Sequence, residues 1–357
     1  MKLSFFFALL MVAAMANAQE DSVQHSYGIK LFTGQVYAHT NAVNNVKGAK
    51  PFGVELELAT QQTNFKNFNR SSAYVKSGWA LAFFNYNNNI LGHGIIASRF
   101  IEPQYRITDR LLFLLKASIG AAYLSNPNDG FKNPTNNNYS LHFNPYLHVA
   151  GGIDFHVSKH ASLAFIGSFH HISNGNLMQP NKGLNWVTGA LSFNYYPGNN
   201  WLPKYRHYYD PFWQKEKAAI EAAIFYVPKQ SYISKYAARR NFVLGLNTQI
   251  TKQVGATSAL TAGAEIYYDE FIVDDGKQQV TSKIVAAIQA GHVFLLGKVR
   301  FSQQLGYNVY SKLYFLPNFY TRLGIDYKLG NRYTVGGSLK ANSDNADFFD
   351  LRLGYRF

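Results

Sequence analysis

Leu141-His-Phe-Asn-Pro-Tyr-Leu-His-Val-Ala-Gly-Gly-Ile-Asp-Phe-His156 is the stretch that decides the fold. Its odd positions include Leu141, Phe143, Leu147, Val149, Ile153 and Phe155, with Pro145 and Gly151 between them. Its even positions carry His142, Asn144, Tyr146, His148, Asp154 and His156. Successive side chains leave opposite faces of a strand, so the alternation predicts a strand over 140–157 with one apolar and one polar wall. Soluble β-sandwiches also alternate, and composition separates the two cases. Aromatic residues make up 16% of the chain, with 25 Tyr and 28 Phe, while charged residues reach only 15%. A water-soluble domain usually carries about 25% charge. An apolar outer band with aromatic girdles around a polar interior accounts for both figures.

The same alternation recurs along the chain between clusters of Asn, Gly, Pro and Asp, such as Asn126 to Asn138. It predicts strands near 26–37, 51–61, 76–86, 95–107, 111–124, 140–157, 160–173 and 185–197. A second group follows near 218–228, 240–252, 257–270, 279–295, 297–310, 316–329, 332–341 and 347–357. Phe349, Leu351, Leu353, Tyr355 and Phe357 alternate with Phe348, Asp350, Arg352, Gly354 and Arg356. That ending is similar to the closing strand of bacterial outer-membrane proteins, whose terminal aromatic is read by the barrel assembly machinery. Residues 1–18 have the form of a secretory signal, with Lys2, an apolar run from Phe5 to Ala14, and Ala16-Asn17-Ala18. No later stretch approaches the ~20 apolar residues of a membrane helix. The fold class expected is therefore all-β, an antiparallel transmembrane barrel of the outer membrane.

A single barrel of roughly 12–16 strands leaves no free edge and is the preferred closure; two eight-stranded barrels in tandem are the alternative. The halves span 19–197 and 218–357, joined by a Trp-, Tyr- and Pro-rich linker or periplasmic turn at 198–217. With a periplasmic entry, the 174–184 loop is extracellular. The chain has no cysteine, which excludes disulfides and thiol chemistry. A net charge of +14 suits an anionic membrane surface, and an exported barrel has little access to nucleic acid. The sequence contains no phosphate-binding glycine loop, no metal-ligand spacing and no sign of a cofactor. His142, His148 and Asp154 share a face, but His142 and His148 stand roughly 20 Å apart along a strand, so a polar lumen wall explains them better than a metal.

Chemistry concentrates in Phe169-His-His-Ile-Ser-Asn174. His171 and Ser173 share the face of Leu163, Phe165 and Phe169, so a base and a hydroxyl nucleophile are aimed at lipid. His170 points the other way, into the lumen, and Gly175 suits a turn of positive φ. Asn185 falls on the same apolar side as the pair, together with Val187, Leu191 and Phe193. Its amide oxygen can accept from the far imidazole nitrogen, as in Cys-His-Asn hydrolases.

Phe169, His171, Ser173, Asn174, Pro180, Asn181 and Gly183 together resemble the signature of the lipid A 3-O-deacylase family, the PagL-type outer-membrane esterases. The close match covers about twenty residues, the wider one 26–197, and nothing in 218–357 belongs to the pattern. The resemblance implies hydrolysis of an ester-linked acyl chain of lipopolysaccharide. Ser173 would be the nucleophile and His171 the general base. The Asn181 side chain and the Asn176 N–H would form the oxyanion hole, with Asn174 beside them. The family carries Glu as third triad member where this chain has Asn185. A porin or lipid transporter without catalysis is the competing reading, because wide barrels can hold channels.

Overall fold

A computed structural model of the chain describes residues 23–175, 177–206, 211–234, 237–270, 282–312, 318–342 and 345–357. The signal segment, 1–18, lies outside them. Sixteen strands occupy the described residues. The first eight are β1 (Val23–Val36), β2 (Phe52–Gln62), β3 (Tyr74–Asn85), β4 (His93–Arg106), β5 (Leu111–Leu124), β6 (Phe143–Ser158), β7 (Ala161–Ile172) and β8 (Leu184–Tyr195). The second eight are β9 (Ala219–Ser234), β10 (Ala237–Gln253), β11 (Ser258–Asp269), β12 (Ile284–Leu296), β13 (Val299–Ser311), β14 (Phe319–Leu329), β15 (Tyr333–Asn342) and β16 (Asn345–Arg356).

These close as two eight-stranded antiparallel barrels, not as one wide one. β8 returns to β1 in register from Tyr27↔Tyr195 to Val36↔Trp186. β16 returns to β9 from Leu351↔Tyr226 to Arg356↔Glu221. Eight strands suffice because side chains alone can fill an interior of that size. The preference for a single barrel fails because β8 spends its edge on β1 and has none left for β9.

Both barrels are inside-out relative to a soluble protein. Leu31 is 51% exposed and Lys30 2%; Phe165 is 61% exposed and Ile166 2%. The first interior holds Lys30, Lys76 and Lys116 against Glu55, Glu57 and Glu102. Glu57 bonds both Lys30 and Lys116, and Lys30 reaches Glu55 at 3.3 Å. In the second interior Arg322 contacts Glu265 at 2.7 Å and also pairs with Asp350, while Lys340 reaches Glu265 at 3.1 Å. Buried charge of both signs is tolerable here because each of these carboxylates has a cation within reach.

At one end of the first barrel an aromatic layer closes the interior. His170 stacks on Trp186 with centroids 4.6 Å apart, and its ring nitrogens meet Tyr146 Oη at 2.7 Å and Thr188 Oγ1 at 2.9 Å. Above that layer the asparagine-rich loop 125–142 laces its neighbours together. Asn137 Nδ2 donates to Ala42 O at 2.8 Å, Asn133 Nδ2 to Ile90 O at 2.9 Å, and Asn45 Nδ2 to Thr135 O at 2.8 Å. At the opposite end the chain after β8 folds back across the mouth. Gln24 Nε2 donates to Trp201 O at 3.1 Å and Arg106 to Pro203 O at 3.1 Å, while Lys204 pairs with Asp109 at 2.7 Å. Leu202 is buried there against Tyr74 and Leu112. The stretch expected as a linker is thus, in its first part, a plug.

One face assignment changes. β6 begins at Phe143, and His142 precedes it, exposed, with its ring stacked on Tyr123 at 5.4 Å and Nδ1 2.8 Å from Leu124 O. His148 and Asp154 do line the lumen, both buried. The expected shared face fails for His142, which lies just outside the strand with its ring turned outward onto Tyr123.

Candidate active site

β7 carries the candidate pair to the rim of the first barrel. Its even residues Ser168, His170 and Ile172 are buried, and its odd residues Phe165 and Phe169 are exposed. The strand ends at Ile172, one residue earlier than the sequence predicts, but the Ser173 N–H still donates to Pro145 O at 3.3 Å. Ser173 therefore prolongs the ladder while entering the loop.

The β7–β8 register pairs His171 with Asn185. Their side chains meet, with His171 Nδ1 2.5 Å from Asn185 Oδ1. A carboxamide oxygen only accepts, so Nδ1 carries the proton and the Nε2 lone pair is left open. Among the described residues no carboxylate bonds His171. No hydrogen bond joins His171 to Ser173 in this state; such bonds in hydrolases tighten when substrate is engaged.

Ser173 Oγ instead accepts from the Gly175 N–H at 3.2 Å and from Asn181 Nδ2 at 3.3 Å. Two donors thus converge on the nucleophile. Asn181 is oriented by its other end, since Oδ1 accepts the Asn174 N–H at 3.1 Å. The Asn174 side chain is turned inward and buried, donating to Met178 O at 2.8 Å and Ser140 Oγ at 3.4 Å, so it shapes the loop. Asn176 lies outside the described residues, and the backbone donor seen beside Ser173 is that of Gly175.

The glycines of the loop have separate tasks. Gly175 has φ +61° and lies against Phe349 of β16, where a methyl group would meet Phe349 Cβ at 2.5 Å. The second barrel therefore borders the loop. Gly183 has φ +79°, and a methyl group there would sit 3.0 Å from His171 Cε1. Loop 125–142 pins this return: the N–H groups of Lys182 and Gly183 donate to Asn137 O at 2.9 Å and Asn138 O at 2.8 Å.

One contact has no counterpart in the sequence reading. Asn185 Nδ2 lies 2.9 Å from His39 Nδ1, and the Tyr37 N–H donates to Asn185 O at 2.9 Å. Barrel closure brings the start of the 37–51 loop onto β8, 146 residues away in the chain. No local spacing signals it.

Fold and site together define a class: a transmembrane β-barrel with a serine and a histidine at its lipid-facing rim. Residues 23–194 match the family model described as lipid A 3-O-deacylase (PagL), and residues 218–357 match one described as acyloxyacyl hydrolase, C-terminal domain. The chain belongs to the lipid A 3-O-deacylase family and is an ester hydrolase of the outer membrane. The second match also brings 218–357, which carry none of the signature, within the same family.

Among solved structures, the outer membrane enzyme PagL is 16% identical, covering 46% of this chain and 97% of its own, at a TM-score of 0.33. The toluene transporter TodX of Pseudomonas putida is 8% identical, covering 95% and 89%, at 0.20. The translocator domain of the autotransporter NalP of Neisseria meningitidis is 10% identical, covering 100% and 95%, at 0.21. No curated protein matches.

Proposed function

We propose that the chain hydrolyses an ester-linked acyl chain of lipid A, at the 3-position, by nucleophilic catalysis from Ser173. The observation that carries the reading is the His171 ring at the barrel rim, its Nδ1 engaged by Asn185 so that the Nε2 lone pair is left open, two residues before a Ser173 hydroxyl that meets the Gly175 N–H and Asn181 Nδ2. In the first step His171 Nε2 takes the Ser173 hydroxyl proton as Oγ attacks the acyl carbonyl. Negative charge collects on the former carbonyl oxygen, within reach of Asn181 Nδ2 and the Gly175 N–H. The carbon–oxygen bond to the sugar then breaks, and the imidazolium returns its proton to the departing hydroxyl. A water, deprotonated by the same imidazole, cleaves the acyl-serine and releases the fatty acid.

The surroundings support a lipid substrate. Leu177 and Met178, on the loop, are exposed, and so are Phe165 and Phe169 below it. An acyl chain lying along that wall stays in hydrocarbon while its ester reaches Ser173. Passage through the first barrel, as the porin reading requires, is disfavoured by a lumen filled with paired Lys and Glu and by aromatic and linker residues across its ends.

The test is mass spectrometry of lipopolysaccharide incubated with purified protein. Wild type removes one acyl chain, whereas Ser173→Ala and His171→Asn, inserted and heat-modifiable like wild type, remove none. Equal deacylation by Ser173→Ala would eliminate Ser173 as nucleophile. Intact lipid A together with steady conductance in planar bilayers would favour a pore.

A further inference from the structure

Asn185 raises a difficulty that a carboxylate would not. A carboxylate presents an acceptor oxygen whichever way it turns, but a carboxamide has one accepting and one donating end. Turned over, Asn185 would offer N–H to His171 Nδ1. The imidazole would then have to accept there and carry its proton on Nε2, and it could no longer act as a base toward Ser173.

We propose that His39 is a positioning residue that holds the Asn185 amide in its productive orientation, an inference that rests on the Ser173–His171 reading above. Asn185 Nδ2 stands 2.9 Å from His39 Nδ1, and Oδ1 stands 2.5 Å from His171 Nδ1. With a lone pair on Nδ1, His39 accepts from Nδ2, and Oδ1 is thereby directed at His171. The order of donation runs His171 Nδ1–H to Asn185 Oδ1, then Asn185 Nδ2–H to His39 Nδ1. The flipped amide would need His39 to donate from the same nitrogen. His39 is held for this task by its backbone, since Tyr37 donates to Asn185 O at 2.9 Å and Ala38 packs on the buried cluster around Trp186. One strand residue is thus gripped at its carbonyl and its amide by a single short segment. Asn185 is 9% exposed, which leaves solvent little part in fixing the amide.

The proposal makes the effect of His39 depend on what occupies position 185, and that dependence is the test. With Asn185 in place, His39→Leu lowers kcat for lipid A deacylation about tenfold and leaves KM unchanged, as loss of one orienting hydrogen bond predicts. His39→Asn, which keeps an acceptor near the Nδ1 position, retains most of the activity. In an Asn185→Asp background, where both ends accept, His39→Leu lowers kcat by no more than about twofold. Nitrogen chemical shifts of labelled histidine supply a readout independent of turnover. His171 is in its Nδ1–H form in wild type and shifts toward Nε2–H in His39→Leu. An equal loss from His39→Leu in both backgrounds would mark its role as merely structural and overturn the proposal. So would an unchanged His171 tautomer, including where Asn185→Asp fails to fold. Full activity in Ser173→Ala would instead sink the dyad reading, while the tautomer measurement would still report on His39.

Discussion

Replacing Glu57 with Gln tests whether paired charge holds the first barrel together. Glu57 is buried and bonds both Lys30 and Lys116. The substitution keeps the shape and removes one negative charge, leaving three lysines facing Glu55 and Glu102. Removing one partner of a buried pair costs about 3–5 kcal/mol, because the survivor stays desolvated. The lower end applies here, since Glu55 remains 3.3 Å from Lys30 and 3.9 Å from Lys116. With a urea slope of about 2 kcal/mol/M, a loss of about 3 kcal/mol lowers the unfolding midpoint by about 1.5 M. The assay is denaturant unfolding in detergent micelles, followed by tryptophan fluorescence and by the heat-modifiable gel shift. A second variant, Glu57→Gln with Lys116→Met, restores the balance of charge and recovers most of the loss. A single variant within 1 kcal/mol of wild type, or a double variant no better than the single, would refute the charge-pairing argument.

Three further outcomes are expected. Asn181→Ala lowers kcat for lipid A deacylation by about 10²–10³ with KM little changed, as loss of an oxyanion donor predicts; a proportionate rise in KM would make it a binding residue instead. Gly183→Ala costs about 1–2 kcal/mol for a side chain at φ +79° and displaces the His171 ring, so kcat falls while the barrel still folds; unaltered kcat would show the ring unmoved. Because no strand is shared between the barrels, each unfolds in its own transition. Arg322→Met, which strips Glu265 and Asp350 of a common cation, lowers only the second by about 3–5 kcal/mol, and a single merged transition would contradict that independence.

Strands were legible because lipid outside and charge inside impose a period of two on every one of them. β5 runs from Leu111 to Leu124 as read, and other boundaries drift by a few residues. The drift is largest where apolar alternation fades beyond the hydrocarbon band, as at β9, which continues to Ser234. The short helix Phe65–Ser71 was not foreseen, because its Asn64 cap sits among polar residues that read equally well as a turn. The juxtaposition of the candidate residues was legible for a different reason. His171, Ser173, Asn181 and Asn185 fall within fifteen residues, across one hairpin, where strand geometry fixes what faces what.

The sequence by itself determined an inside-out β-barrel chain of roughly 12–16 strands, with a histidine and a serine two residues apart at the end of the seventh and an asparagine opposite the histidine. Those properties are local, since alternation and hairpin register act over a few residues. Which strands close on which was decided only by the tertiary structure, for alternation is the same in one wide barrel and in two narrow ones. Closure of β8 on β1 in turn decides the last contact of the site. It carries His39 to the far side of Asn185, across 146 residues, a distance over which no periodicity in the chain holds information.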